Sequence, residues 1–469
     1  MAVAALVALV WINQGVADRP QGPGDRAVVT SVTPALQAIR APLVILYRRG
    51  TDVRLYYELA NLMLGRPSDP DFVVRQRGYV PARLSRVSFP PADGRWHAPY
   101  AEVPLEYPVL AVPFLLAPRL LASGLDAYGF VFGALMGLCL IGAGLAALDA
   151  AREAGVDADG LRQRAWLLSG LLLAQGTVAV QRLDAVAALW IALAMRAAVR
   201  RRPIELGVWA ALATATKILP VFLLPVQLAA DARFWGPRAL RRLGVAFTVT
   251  VMAGFLPMFV FSGHALADVI RYHSLRGLQC ESTLGILLAG AHCITGNVAP
   301  AVLSFGSDNL QGHAADRLAA LCGPLSVGGS LGMAWVVGRS SWRDGAAGGQ
   351  GPARVASATF ATLVVLWLSG KVFSPQFLTW GIPVVLAIPG LLGIRIAWLF
   401  VGVAALTQLY LCGHYELVRD GNALGLLNVA ARQALLAATG YLAARGLVTR
   451  GEAARPEVER AWARADGHS

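Results

Sequence analysis

Of the 41 Lys and Arg residues in the chain, only two are lysines, and both lie inside apolar segments. Lys217 sits in "ALATATKILPVFLLP" and Lys371 in "WLSGKVFSPQFLTW". A lysine at the centre of a membrane span costs about 2.5–3.5 kcal/mol on insertion scales. Snorkelling to the headgroups would relieve that cost, but arginine would serve as well, and the chain otherwise uses arginine. What lysine offers instead is a compact point charge, and phosphate is a usual partner for one. Other polar candidates lie close to apolar runs. Asp52 opens "TDVRLYYELANLMLGR", where the bland alternative is a helix N-cap. Glu102 and Glu106 lie in the proline-rich "PYAEVPLEYP", and the alternative there is a solvated loop. Arg182 and Asp184 stand in "QRLDAVAALWIALA", where opposite charges could simply mark a helix start. His273, Arg276 and Glu281 fall in "RYHSLRGLQCES", where Arg271, His273 and Arg276 could form one face of a short exterior helix, with a mixed-charge surface helix as the alternative. Gln376 follows Lys371 in the same polar break.

These residues need a frame, and composition supplies it. The 469 residues are 56% hydrophobic and 15% charged, with a mean hydropathy of +0.55. A soluble chain carries roughly a quarter charged residues. Apolar runs at 128–150, 243–262, 394–412 and 425–447 approach the roughly 20 residues that a span needs. The chain therefore reads as an all-α polytopic membrane protein with one continuous embedded domain, 1–447, and a basic tail, 448–469. The net charge of +13 is distributed as topology signals between apolar runs, so nucleic acid is not an expected partner. The opening "MAVAALVALVWINQG" resembles a signal-peptide core and reads as a short first span. Five cysteines show no metal spacing,; Cys280 and Cys293 could pair on an oxidising face.

Placing "RRRP" at 200–203, "DARFWGPRALRR" at 231–242, 338–354 and the tail inside fixes the orientation. Two large exterior regions follow, about 18–126 and 263–316. "EYPVLAVPFLLAPRLLA" contains Pro108, Pro113 and Pro118, which break helical hydrogen bonding; parity also makes it an interfacial or re-entrant element. Residues 204–230 are too few for two spans, so a hairpin of two half-helices is expected, with Lys217 and Pro220 near its tip. Around Lys371 the same design recurs, with Gly370 and Pro375 in the turn. Both lysines then face the outer side.

The ordered set "TDVRLYYELANLMLGR", "PYAEVPLEYPVLAVP", "QRLDAVAALWIALA", "ATATKILPVFLLP", "RYHSLRGLQCES" and "KVFSPQFLTWGIP" resembles glycosyltransferase family 87, over roughly residues 45–390. That family belongs to the GT-C superfamily and includes polyprenyl-phosphate-mannose-dependent alpha-mannosyltransferases. The resemblance implies a GT-C-type fold with about 11–13 transmembrane helices, some broken, and membrane-parallel helices in large outer loops. It also implies an inverting transferase of the bacterial inner membrane with its site on the extracytoplasmic side. The donor would be a polyprenyl-phosphate sugar and the acceptor a lipid or glycan hydroxyl. Asp52 matches the catalytic Asp of the first exterior loop. Lys371, Lys217, Arg182, Arg276 and His273 could form the donor-phosphate pocket, with Asp184, Glu102, Glu106 and Gln376 as further substrate-binding candidates. No metal and no cofactor are expected. A lipid-linked-saccharide flippase is the alternative, since it too would show broken helices and buried cations. Residues 66–98 depart from the family pattern as a long insertion that could shape acceptor choice.

Overall fold

The computed structural model describes residues 52–77, 89–343, 351–411 and 415–465. The expected first span lies outside them, as does 78–88 of the insertion.

Helices α1 (Asp52–Met63), α2 (Pro70–Arg77) and α3 (Val112–Leu121) make up the first polar region. The apolar spacing of α1 is the helical one, and it buries Leu55, Leu59, Leu62 and Met63 together,. The ten residues of α3 reach about 15 Å, half of a ~30 Å hydrocarbon core. That is the short interfacial element its prolines suggested. The bundle follows with α4 (Leu125–Glu153), α5 (Ala158–Gln175), α6 (Asp184–Val199), α7 (Pro203–Thr216), α8 (Leu223–Ala229) and α9 (Pro237–Phe261). The second polar region contains α10 (Ala265–Leu275), β1 (Leu278–Gln279), α11 (Thr283–Ile294), β2 (Ala301–Ser304) and β3 (Ser307–Leu310). Then come α12 (His313–Arg343), α13 (Gly351–Ser369), α14 (Leu378–Ala387), α15 (Gly390–Leu409), α16 (Tyr415–Arg419) and α17 (Ala423–Ala465).

Among the described residues, five helices are long and apolar enough to cross a membrane: α4, α9, α12, α13 and α15. The protein is a polytopic, predominantly helical membrane protein. Helices α5, α6, α7 and α14 are shorter or more polar and complete the bundle. Three details depart from the sequence reading. A small antiparallel sheet, ordered β1-β3-β2, interrupts the expected all-α fold in the second polar region. Its strands are two to four residues long, too short for any periodicity to announce them. Cys280 and Cys293 are both free thiols, because one lies at the end of β1 and the other near the far end of α11. Helix α17 runs past residue 447 to Ala465 without a break, so the basic tail continues the last helix.

Position in the bundle follows from composition. Every residue of α14 is buried, as its uniformly apolar sequence requires. Trp367 of α13 stacks on Phe400 of α15 at 6.2 Å between ring centroids. Gly381 of α14 lets the two rings in: a Cβ there would sit 2.7 Å from Phe400 and 2.9 Å from Trp367. The C-terminal carbonyls of α14 would be orphaned in this apolar surrounding. Buried Arg164 of α5 donates to Leu386 O at 3.0 Å and Ile388 O at 2.8 Å. Helix α9 stands at the opposite extreme. Only 17% of its apolar stretch is buried, against 78% for α13, so α9 faces the bilayer and α13 the protein.

Helix length also explains where polar backbone is tolerated. The 16 residues of α6 and 14 of α7 give about 24 and 21 Å. Both fall short of a ~30 Å hydrocarbon core. Their ends are joined to non-helical stretches at 180–183 and 217–218. Such backbone persists at depth only where it faces protein or a water-filled cavity. The ends of α6, α7 and α13 thus converge on one polar recess.

Candidate functional site

Asp52 opens α1, and its carboxylate is ion-paired with Arg182. Arg182 lies in the turn before α6, so the pair joins the first polar region to the bundle. Both side chains keep about a fifth of their surface accessible, 19% for Asp52 and 22% for Arg182. Two residues on, Asp184 starts α6 with its side chain 1% exposed. Lys217 reaches it from the end of α7, donating to both carboxylate oxygens at 2.9 and 2.8 Å. An acid at a helix N-terminus and a base at a helix C-terminus are each favoured by the macrodipole, so chain ends and charges reinforce one another here.

Three rings surround the Lys217 ammonium: Tyr107 at 5.8 Å, Phe377 at 5.5 Å and Trp380 at 5.8 Å from their centroids. These are cation–π distances. Tyr107 shares a hydroxyl contact with buried Tyr56 of α1 at 3.2 Å, and its backbone oxygen accepts from Tyr100 at 2.7 Å. Gln376 stands half-buried in the turn Pro375–Phe377, directly beside the ring that faces Lys217.

The second polar region closes the other side. His273 Nε2 lies 3.2 Å from the backbone oxygen of Glu106, whose side chain is buried. The His273 side chain is exposed in the free chain, at a place where Arg276, Lys217 and Lys371 all act on it. Burial first, and the Arg276 charge second, pull its pKa down to about 4, which leaves the imidazole neutral at neutral pH. Arg276 follows the last turn of α10 and donates to Ser307 Oγ at 3.0 Å. Lys371 donates to Ser274 O at 2.8 Å, and its own carbonyl accepts from Gln279 N–H at 2.9 Å. The expected single helical face of Arg271, His273 and Arg276 is therefore divided. Arg276 belongs to the extended link to β1, with φ −60° and ψ 131°.

The structure thus gathers Asp52, Arg182, Asp184, Lys217, Glu106, His273, Arg276, Lys371 and Gln376 around one end of the helices. It does not bring Glu102 with them. The Glu102 carboxylate accepts from Ala98 N–H at 2.7 Å and faces His97 Nδ1 at 3.2 Å. His97 Nε2 in turn meets Asp93 at 3.1 Å, and His97 N–H donates to Met63 O at 2.9 Å. Glu102 therefore belongs to a latch that fastens the 89–107 loop to the end of α1, because the tight turn after Pro99 aims it back into its own loop.

No protein-family model matches the chain, and no curated protein matches it in sequence. In structure it is similar to ArnT from Cupriavidus metallidurans, solved bound to undecaprenyl phosphate. The TM-score is 0.41 and the identity 16%, over 90% of this chain and 78% of that one.

Charge within the recess is unevenly spent. Arg182 and Lys217 each hold a carboxylate of the chain. Among the described residues, Arg276 and Lys371 make only neutral hydrogen bonds. Arg276 and Lys371 thus touch no carboxylate among the described residues, although the Glu281 charge acts on Arg276; beside a neutral histidine they suit an anionic group of about phosphate size. No group of three or more His, Cys, Asp and Glu residues with metal-binding geometry occurs among the described residues.

Sequence reasoning missed two parts of the site. The aromatic enclosure of Lys217 combines residues 107, 377 and 380, which no spacing rule connects. Glu281 forms an ion pair of its own, 3.4 Å from Arg432 of α17, with side chains 2% and 0% exposed. The signal for Arg432 was present: it is an arginine inside the apolar run 425–447, and an intramembrane charge calls for a partner.

Proposed function

We propose that the chain is a membrane glycosyltransferase of GT-C type that moves a sugar, mannose as the first candidate, from a polyprenyl phosphate to an acceptor hydroxyl. The acceptor would be a lipid or glycan at the outer face of the bacterial inner membrane. The observation that supports the reading is the placement of an accessible carboxylate, Asp52, near Arg276 and Lys371, which form no ion pair among the described residues.

In this reading the donor phosphate enters beside Arg276 and Lys371 and draws Arg182 towards itself. That loosens the hold of Arg182 on Asp52 and raises the basicity of the carboxylate. The acceptor oxygen attacks the anomeric carbon as the bond from that carbon to the phosphate oxygen breaks. The proton of the acceptor passes to Asp52. The bonding pair leaves with the phosphate, where the two cations stabilise the growing charge. A phosphate leaves readily, so no strong general acid is needed. One displacement inverts the anomeric centre. Retention would need a second carboxylate as nucleophile about 5 Å from the first; of the two geometric candidates, Glu102 is committed to its latch and Glu106 is left, against which the family resemblance speaks.

Purified full-length protein in liposomes, given radiolabelled polyprenyl-phosphate mannose and the lipid extract of its native host, should yield labelled glycolipid. Asp52→Asn should abolish the label while leaving the thermal transition in place. Transfer that persists in Asp52→Asn would overturn the base assignment, and movement of donor across the bilayer without transfer would favour a flippase.

A further inference from the structure

At the Arg-rich end of the bundle, far from the recess, an open groove of about 460 Å³ runs between α7 and α9. Ile204 and Val208 of α7 and Val245 and Val249 of α9 form its walls, and Arg241 and Arg242 stand at its mouth. The two helices run in the same direction and meet closely at Gly207, where a Cβ would lie 2.6 Å from Leu243 O. The groove lies beside that contact. From Arg242 to Val249 it descends about 10 Å along the axis, a depth that takes the upper half of an acyl chain.

Its wall residues are exposed, Ile204 at 55%, Val245 at 58% and Val249 at 61%, and α9 faces the bilayer. Its arginines differ from the three that precede α7. Arg200 pairs with Asp149 and Glu153, Arg201 with Asp231, and Arg202 with Glu205. Arg241 and Arg242 are exposed and hold no acid among the described residues. Two bare guanidinium groups above an apolar furrow at headgroup level match one ligand chemistry: an anionic head with a hydrocarbon tail.

We propose that this groove is a binding site for an anionic phospholipid of the surrounding leaflet, its phosphate between Arg241 and Arg242 and one acyl chain along Val245 and Val249. The site is independent of the sugar-transfer reading. It anchors α7, the helix that ends at Lys217, by its opposite end.

The test uses full-length protein in nanodiscs of mixed phosphatidylglycerol and phosphatidylcholine, with a trace of spin-labelled lipid of either kind. The motionally restricted fraction should be several-fold larger for phosphatidylglycerol. The double variant Arg241→Gln/Arg242→Gln should bring the two lipids to parity. Val245→Trp, which fills the groove at an exposed position, should do the same with both arginines intact. Arg238→Gln, which changes a nearby arginine outside the groove lining, should leave the preference unchanged. Equal restriction of both lipids in the unaltered protein would overturn the proposal. So would a preference that survives Val245→Trp or falls equally in Arg238→Gln, since either means a diffuse positive surface. Cross-linking of two copies, or of the chain's own first fifty residues, to Val249→Cys would give the groove a different occupant.

Discussion

The two lysines of this protein occupy equivalent breaks and have opposite fates. Each follows a helix of the bundle, α7 or α13, and precedes a proline-bearing 3₁₀ turn. Lys217 is drawn inward, held by both oxygens of Asp184 and ringed by Tyr107, Phe377 and Trp380. Lys371 stays at the rim, its ammonium tied among the described residues to the carbonyl of Ser274. The difference teaches that an unusual residue type in an apolar segment signals a buried polar site without saying what the charge is for. A lysine facing a carboxylate of its own chain is chiefly architectural. A lysine facing only backbone still has charge to give a ligand. The proposed phosphate-binding role therefore narrows to Lys371 and Arg276, with Lys217 as the post beside them.

That contrast can be broken most directly through stability. Asp184→Ala should destabilise the protein by about 3–5 kcal/mol, because it leaves the Lys217 ammonium enclosed without its counter-charge. The combined variant Asp184→Leu/Lys217→Met should recover much of the loss, and thermal unfolding in detergent measures both. An Asp184→Ala protein as stable as the unaltered one would end the architectural reading of the pair. Lys371→Ala should behave in the opposite sense. A charge-assisted hydrogen bond is worth about 1.5–3 kcal/mol, so donor affinity should fall roughly 10- to 100-fold with little change in the thermal transition. Titration with polyprenyl-phosphate mannose reads the affinity. Arg276→Ala should act in parallel, and the double variant should lose more donor affinity than either alone. An equal loss of stability in Lys371→Ala and Asp184→Ala would erase the distinction between the two breaks.

The smallest effect belongs to the latch of Asp93, His97 and Glu102. Burial lowers the His97 pKa, but hydrogen bonds to Glu102 and Asp93 outweigh it and leave the value raised above 6.5. Its contribution is complete below pH 6.5 and fades as pH rises through the raised value. Glu102 lies below its usual 4.5, chiefly through the Ala98 N–H and then His97. Asp93 is lowered to about 2, chiefly by the N–H and guanidinium of Arg95. Those two contributions are present above pH 4.5 and 3.8 and are lost as pH falls through the lowered values. The 89–107 loop should thus resist proteolysis best between about pH 4.5 and 6.5. His97→Gln should flatten the alkaline side of that profile, and a profile unchanged by the substitution would exclude His97 as its source. Exposure of the carboxylates keeps the effect small.

Much of this architecture was legible in the residues themselves. Prolines and too few residues foretold that α3 would not span. The same reasoning foretold that 204–230 and 367–380 would break near their lysines. Asp52, Asp184 and His273 were visible as polar groups beside apolar runs. Glu102 was equally visible and proved to serve its own loop, because the direction of a side chain in an irregular turn depends on backbone angles that spacing does not encode. The short strands, the free thiols and the Glu281–Arg432 pair were hidden for a related reason: each joins chain segments whose proximity exists only after packing.

By itself the sequence determined the chemistry available to this protein. It set an apolar chain that must bury its backbone in helices, arginine clusters between its apolar runs, and two lysines where arginine was the habit. Tertiary structure alone decided how that charge is spent. Coulomb energy depends on distance and surroundings. Only the packed bundle put Lys217 within 3 Å of Asp184 while leaving Lys371 beside a backbone carbonyl.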